Sequence, residues 1–407
     1  MKRFLLLCLA WPLAAAAADY PDLPPAAMVE KALRSHPAVL AAQAGIGVGE
    51  AQRDQFEAGP HEFNLRIGSQ QRREVAADRR FQEKEIGIER AVRLPGKAAR
   101  DAEIGATVLD QARNTLGDAL HETGRLLLKS WFDWRREQAA VAEWRIQAEL
   151  LQQQGRIAAK RVAAGDAANI ELLLASTQQT QAEAQLAQAE SRAQRAASDL
   201  AQHFPSLLLP ARVAATPPQA VDQPFDFWRE RILEHSHELD VARTASKRQQ
   251  LQAQRLDADR LPDPTVGMKW SSERDGQERV LGFTLAIPLP GGARAAQARG
   301  AQAETVAAAA REAQVLAKVE GEARRAFQQA VSSHAQWQRL ADVAARSDEN
   351  TRLLEKAWRL GEGQIGDLLN ARRQAVEARL AAAQAQLDAS EAAAYASAEK
   401  GVADVGA

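Results

Sequence analysis

The residues able to hold a metal or attack a substrate are few in this 407-residue chain, and they do not converge. Seven histidines and one cysteine make up the soft-ligand inventory, and the cysteine, Cys8, lies in the first apolar run. His235-Ser236-His237 is a close histidine pair, but residues two apart on a helix point to different faces, so the pair reads as the polar start of a helix. His36, His61, His121, His203 and His334 are scattered. No G-x-S-x-G, H-E-x-x-H or P-loop string occurs. Trp131, Phe132 and Trp134 cluster on one segment and read as packing anchors between helices, not as a platform for stacking substrate. The expectation is a chain that is not an enzyme, with no cofactor and no metal centre of its own.

Charge points the same way. Lys and Arg number 52 against 53 Asp and Glu, which leaves no basic surplus for nucleic acid. Mean hydropathy is −0.38, and no long apolar run follows the amino terminus, which excludes a bundle of transmembrane helices. Aromatic residues are only 5%, and long tracts consist almost wholly of Ala, Gln, Glu, Arg and Leu. At the amino terminus Lys2 and Arg3 precede an apolar run from Phe4 to Ala18 that ends in small residues before Asp19. This is the layout of a secretory signal over 1–18, cleaved after Ala18. The run before Cys8 is too short for a lipoprotein signal, so the exported chain is expected to carry no cysteine, disulfide or lipid anchor, in a bacterial envelope.

Proline maps the elements that remain. All 16 prolines fall in four zones, and none occurs between Pro95 and Pro205 or after Pro290. Proline costs about 3 kcal/mol in a helix interior, so the two proline-free tracts read as long helices. Their flanks repeat. Arg90-Ala-Val-Arg-Leu-Pro95-Gly96 and Leu285-Ala-Ile-Pro-Leu-Pro290-Gly291 each close an alternating segment and open a helix. Gly165 to Leu173 and Gly361 to Leu369 share the pattern Gly-x5-[Asp/Glu]-Leu-Leu, and both matches lie about 195 residues apart, which is an internal duplication. The predicted halves are 19–204 and 225–407, joined by a linker at 205–224. Half one reads as a helix over about 26–58, two strands between Pro60 and Leu94, a helix over about 97–160, a break at Gly165 and a helix to about His203. Half two reads as a helix over about 225–260, strands between Pro264 and Leu289, a helix over about 292–360, a break at Gly361 and a helix to about Lys400. Each middle helix would be roughly 95–105 Å long, and its Ala-rich faces need neighbours to bury enough surface.

The strand segments alternate. Phe63, Leu65 and Ile67 oppose Glu62, Asn64 and Arg66, and Ile86 and Ile88 oppose Glu85, Gly87 and Glu89. Val266, Met268 and Trp270 oppose Thr265, Gly267 and Lys269, and Leu281, Phe283, Leu285, Ile287 and Leu289 oppose Val280, Gly282, Thr284 and Ala286. One apolar and one polar face suit either a sheet packed on a soluble core or the hairpins of an outer-membrane barrel, with polar loops at 71–82 and 273–278. The rest of the chain offers no second apolar layer, and four strands cannot close a barrel, so several chains would have to contribute.

With its duplicated halves, the Pro-Gly junction after each strand pair and the two Gly-x5-[Asp/Glu]-Leu-Leu breaks, the sequence resembles the TolC family of outer-membrane efflux ducts over nearly its whole length. The short chain, unlipidated signal and short loops are most similar to the cobalt-zinc-cadmium resistance (CzcC-like) branch. The resemblance implies a mainly α fold with a small β part, in which a homotrimer forms a 12-stranded barrel in outer-membrane lipid and a helical barrel of about 100 Å crosses the periplasm. It implies an exit duct fed by an inner-membrane RND pump through a periplasmic adaptor, carrying divalent metal ions, or else drugs or secreted protein. By the same resemblance Asp367 lines the pore at the tip, and Asn370 stands where some members have a second acidic residue. Glu171 and Trp358 match positions that hold the tip closed, Gly363 stands where some members carry a basic partner, and Glu362 joins the gate candidates beside the break glycines Gly165 and Gly361. A soluble periplasmic coiled-coil adaptor is the competing expectation, although adaptors show one helical hairpin between β-rich flanks and here there are two.

Overall fold

The computed structural model describes residues 22–210 and 216–401, with side chains as far as 395. The expected signal at 1–18, and part of the expected linker, lie outside the described residues. The chain runs α1 (Ala26–Arg34), α2 (Pro37–Ala58), β1 (Asn64–Glu74), β2 (Arg79–Ala91), α3 (Lys97–Ala163), α4 (Asn169–His203), α5 (Phe225–Glu234), α6 (His237–Ala258), β3 (Thr265–Glu273), β4 (Glu278–Ala286), α7 (Gly292–Arg359) and α8 (Ile365–Gly401). The order helix, helix, strand, strand, long helix, helix is therefore traversed twice. α3 has 67 residues and α7 has 68, about 100 Å each at the α-helical rise. No helix among the described residues is long and apolar enough to cross a membrane.

Three details differ from the sequence expectation. The helix expected over 26–58 is broken at Ser35-His36, because Pro37 takes the first position of α2 and His36 Nδ1 caps it from Ala38 N at 3.3 Å. The helix expected over 225–260 breaks at His235-Ser236, where Ser236 Oγ accepts from Leu239 N at 3.3 Å and opens α6. The polar loop expected over 71–82 is mostly strand: Arg72 pairs with Phe81 and Glu74 with Arg79, leaving only 75–78 as the turn.

The strands form one antiparallel sheet in the order β1-β2-β3-β4, with β1 and β4 as free edges. Its register lines up apolar residues in rows: Ile67, Ile86, Trp270 and Leu281 form one, and Leu65, Ile88, Met268 and Phe283 the next. All eight side chains are exposed in the single chain. The other face carries Arg66, Gly87, Lys269 and Gly282 in one row, where each glycine leaves room for its long charged neighbour.

The helical body packs around small residues. Ala158, Ala175, Ala182, Ala189, Ala323 and Ala330 are buried, which lets the helix axes approach closely. Midway along α3 a larger cluster gathers Trp131, Phe132, Trp134, Leu200, Phe204, Leu207 and Leu387. These three α3 aromatics are indeed packing anchors. They hold the start of the inter-repeat segment against the middle of the long helix. There Asp22 Oδ1 accepts from Arg135 at 2.8 Å, Asp22 Oδ2 accepts from Thr216 Oγ1 at 2.7 Å, and the Trp131 indole donates to the Asp22 carbonyl at 2.8 Å. Ion pairs also join α3, α7 and α8: Arg379 bridges Glu143 at 2.8 Å and Asp348 at 2.5 Å, and Arg136 bridges Asp388 and Glu391.

Candidate functional site at the paired helix breaks

The two long helices end in the same backbone device. Gly165 and Gly361 adopt left-handed φ of 81° and 78°, which glycine tolerates without steric cost. In the first break Gly165 N donates to Val162 O at 3.1 Å and Asp166 N to Arg161 O at 2.8 Å. In the second, Gly361 N donates to Trp358 O at 3.1 Å and Glu362 N to Ala357 O at 3.0 Å. Both are Schellman closures, which satisfy carbonyls that the helix end would leave open and turn the chain back on itself. The main-chain N–H of Glu362 thus belongs to the turn, while its side chain is exposed.

The breaks lie side by side. Ala158, Ala175, Trp358, Ile365, Leu368 and Leu369 form one buried cluster from α3, α4, α7 and α8. Trp358 is 2% exposed, and its indole N–H has no hydrogen-bond partner among the described residues. What covers its ring is Arg161, whose guanidinium lies 5.1 Å from the ring centroid. The same guanidinium stands 3.8 Å from Glu171 Oε2. One arginine therefore links the end of α3, the start of α4 and the end of α7. Glu171 and Trp358 are brought together through it, an ion pair on one side and a cation–π contact on the other. The sequence alone gives Arg161 no role, since its aromatic partner stands in the other half of the chain.

Asp367 sits in the first turn of α8, where the helix dipole favours a carboxylate. It is exposed and makes no hydrogen bond or ion pair among the described residues, and Asn370, one turn on, is exposed as well. Asp367 and Asn370 are thus not drawn into the Arg161 contacts. A side chain at Gly363 would be tight, since a Cβ there would stand 3.1 Å from Trp358 N. Beneath α8's exposed face, Arg372 is 4% exposed and reaches Glu355 at 3.2 Å, while its Nε and Nη1 lack partners among the described residues. Burial draws its pKa below the ordinary arginine value against the opposing pull of Glu355.

At the opposite end, where helices meet sheet, Lys97 is buried with its amine 2.8 Å from Asp263 Oδ1 and 2.9 Å from Asp259 Oδ1. Asp263 also accepts from Leu94 N at 3.0 Å and bonds His61 at 2.9 Å. Burial alone would raise its pKa, but these hydrogen bonds outweigh it and hold the carboxyl at about 2. Arg93 and Arg255 converge on Asp101 at 3.1 Å and 2.6 Å, so this ionic cluster ties residues 93–101 to residues 255–263.

The histidine pair is divided by a helix boundary: His235 ends α5 and bonds Arg231 O, whereas His237 opens α6 and packs on α3 at Gly117. No group of three or more His, Cys, Asp and Glu side chains placed to hold a metal occurs among the described residues.

The sequence matches no protein-family model and no curated protein. Its fold is similar to solved outer-membrane channels. The Campylobacter jejuni CmeC outer membrane channel aligns over 92% of this chain and 85% of its own, at 13% identity and a TM-score of 0.76. The Vibrio cholerae outer membrane protein VceC aligns over 92% and 95%, at 15% identity and the same TM-score. The open state of the Neisseria gonorrhoeae MtrE outer membrane channel aligns over 92% and 89%, at 18% identity and a TM-score of 0.67. The chain thus shares the fold of these outer-membrane channels.

Proposed function

We propose that the chain is one third of an outer-membrane exit duct, a homotrimer of the TolC family, with the duplicated halves 19–204 and 225–407 as its structural repeats and 205–224 as their linker. The observation that carries this reading is the sheet. Among the described residues, the four strands expose an apolar face, leave both edges unpaired and have no second layer to cover them. In water such a sheet is an aggregation site; in lipid, edge-to-edge closure of three copies into 12 strands satisfies its backbone. β4, nine residues over Glu278–Ala286 and tilted as barrel strands are, rises roughly 20 Å, close to the apolar band of an outer-membrane barrel.

The helical body then extends into the periplasm and brings the paired breaks to its far tip. Three copies of Asp367 around the axis form one carboxylate layer that concentrates cations and repels anions, and Asn370 adds no second layer. Arg161, seated between Glu171 and Trp358, holds the resting tip shut. The duct takes substrate from an inner-membrane RND pump through a periplasmic adaptor, and the acidic tip favours divalent heavy-metal cations as cargo, as in the CzcC-like branch. No nucleic acid is involved.

Fractionation of expressing cells tests the location. The chain is expected in the outer membrane, released only by detergent, and trimeric by native mass spectrometry; recovery in the soluble periplasm without detergent would sink the duct. Deletion of the chain should lower tolerance to zinc, cobalt or cadmium, and unchanged tolerance to all three removes the metal assignment while leaving the duct.

A further inference from the structure

The charges on the sheet are sorted by face. Register places Glu74, Glu83, Glu85, Glu89, Glu273 and Glu278 on the face opposite the apolar rows. No carboxylate of the four strands shares the apolar face. The charged side chains that do share it are all basic: Arg73, Arg80, Lys84, Arg90 and Arg279. Arg90 lies at the helix-proximal end, over the Phe63 ring at 4.7 Å and bonded to His61 O at 3.0 Å. The other four lie beyond the opposite end of the apolar rows.

There the row after Ile67, Ile86, Trp270 and Leu281 consists of Ser69, Lys84, Ser272 and Arg279, and two rows further Arg73 stands directly opposite Arg80. Arg73 is paired with Asp78 at 2.7 Å. Arg80, Lys84 and Arg279 are exposed and have no carboxylate partner among the described residues. Like charges directly opposite on neighbouring strands are unfavourable unless an anion lies between them. The polar face shows the contrasting solution, since Arg72 there bonds Glu83 at 3.0 Å and lies 3.7 Å from Glu273. Above the apolar rows a merely water-facing collar could hold either sign; here the strand positions hold only basic, amide and hydroxyl side chains, and the carboxylates that reach them come from the turns, Asp78 on Arg73 and Asp275 on Gln82 N.

We propose that Arg80, Lys84 and Arg279, with the Ser69 and Ser272 hydroxyls between them, form a collar that binds phosphorylated lipid headgroups of the outer leaflet. The inference rests on the outer-membrane reading above. Its occupant follows from continuity: the same face that meets acyl chains at Trp270 and Phe283 meets, one row on, whatever heads those chains. Arginine and lysine are suited to phosphate, arginine through paired N–H bonds. In a trimer the collar is repeated three times around the barrel.

The test titrates the full chain, extracted in a non-ionic detergent, with bisphosphorylated lipid A and separately with dephosphorylated lipid A, and counts bound lipid by native mass spectrometry. The wild type is expected to bind the bisphosphorylated form at least about tenfold more tightly, at roughly fivefold per basic residue. The combined variant Arg80→Gln, Lys84→Gln, Arg279→Gln should lose that preference, whereas Arg66→Gln with Lys269→Gln on the polar face should keep it. Equal binding of the two lipids by the wild type, or an undiminished preference in the triple variant, overturns the collar and leaves the membrane reading intact. Binding of neither lipid by a chain that stays soluble without detergent overturns both.

Discussion

The two helix breaks are built on one backbone and furnished for different tasks. Both close through a left-handed glycine and the same pair of carbonyl bonds. Yet Glu171 has Arg161 beside it, while Asp367 at the matching position of the second break stands exposed with no ionic partner among the described residues. The position matching Arg161 is Ala357, and the one matching Val162 is Trp358. The leucines diverge as well: Leu368 is 0% exposed and Leu369 6%, but Leu173, the counterpart of Leu369, is 59% exposed, with Ile170 and Leu174 bare beside it. A duplication that kept the turn thus freed the side chains. The second break buries its leucines and bares one carboxylate; the first carries Arg161 between Glu171 and Trp358 and leaves an apolar edge exposed.

The sheet-proximal junctions diverge in the same manner. Gly96 takes φ of 84° and delivers Lys97 into the buried ionic cluster, whereas Gly291 is extended, and Arg294 beyond it donates to Asp259 O at 3.0 Å.

The largest effect is expected from placing a charge in the two leucine pairs. Leu368→Asp puts an unpaired carboxylate in a closed core and should cost several kcal/mol, seen as loss of folded protein by circular dichroism. Leu173→Asp should leave the helix content and melting of the single chain near wild type and reduce the trimer fraction in detergent. If both variants unfold alike, the contrast between the breaks is lost.

Next in size is the acid response of the first junction. Asp263 has a folded pKa of about 2, below its unfolded value of about 3.9. A depressed carboxylate stabilises the fold above the unfolded pKa and ceases to do so as pH falls through the folded one. Stability of about 2 kcal/mol should therefore disappear between about pH 4 and pH 2, and Asp263→Asn should flatten that slope. Equal slopes in variant and wild type would place the acid sensitivity elsewhere.

The latch is worth less. Arg161→Ala should shorten closed dwell times in single-channel recordings about fivefold, the order of one exposed cation–π contact with its ion pair, and Arg161→Lys should restore part of it. Closed times unchanged in Arg161→Ala would leave Glu171 and Trp358 as packing alone. The smallest effect on stability, near zero, belongs to Asp367→Ala, because the side chain is exposed; its signature is a reduced cation preference at unchanged melting temperature.

Much of the architecture was legible because its causes are local. Absence of proline over 100 residues and abundance of alanine mark α3 and α7, and strict alternation marks the strands. Two breaks have local causes, Pro37 with the His36 cap and the Ser236 cap, each a short signal inside a longer helical tract. The other differences depend on contacts the sequence separates. The upper rungs of β1 and β2 are arginine-rich on both sides of the turn, and they read as loop because their face meets no apolar partner. Arg161 finds Trp358 only when two halves 197 residues apart fold side by side, and the one-sided sorting of strand charges becomes visible only when the register is known.

The duct is tested most directly by purified wild-type chain in a planar lipid bilayer under a potassium chloride gradient. Discrete conductance steps are expected, with a reversal potential of the sign that marks cation preference, and that potential should move toward zero in Asp367→Ala. A chain that adds no conductance, or a pore whose reversal potential marks anion preference, would contradict a duct gated by an acidic tip.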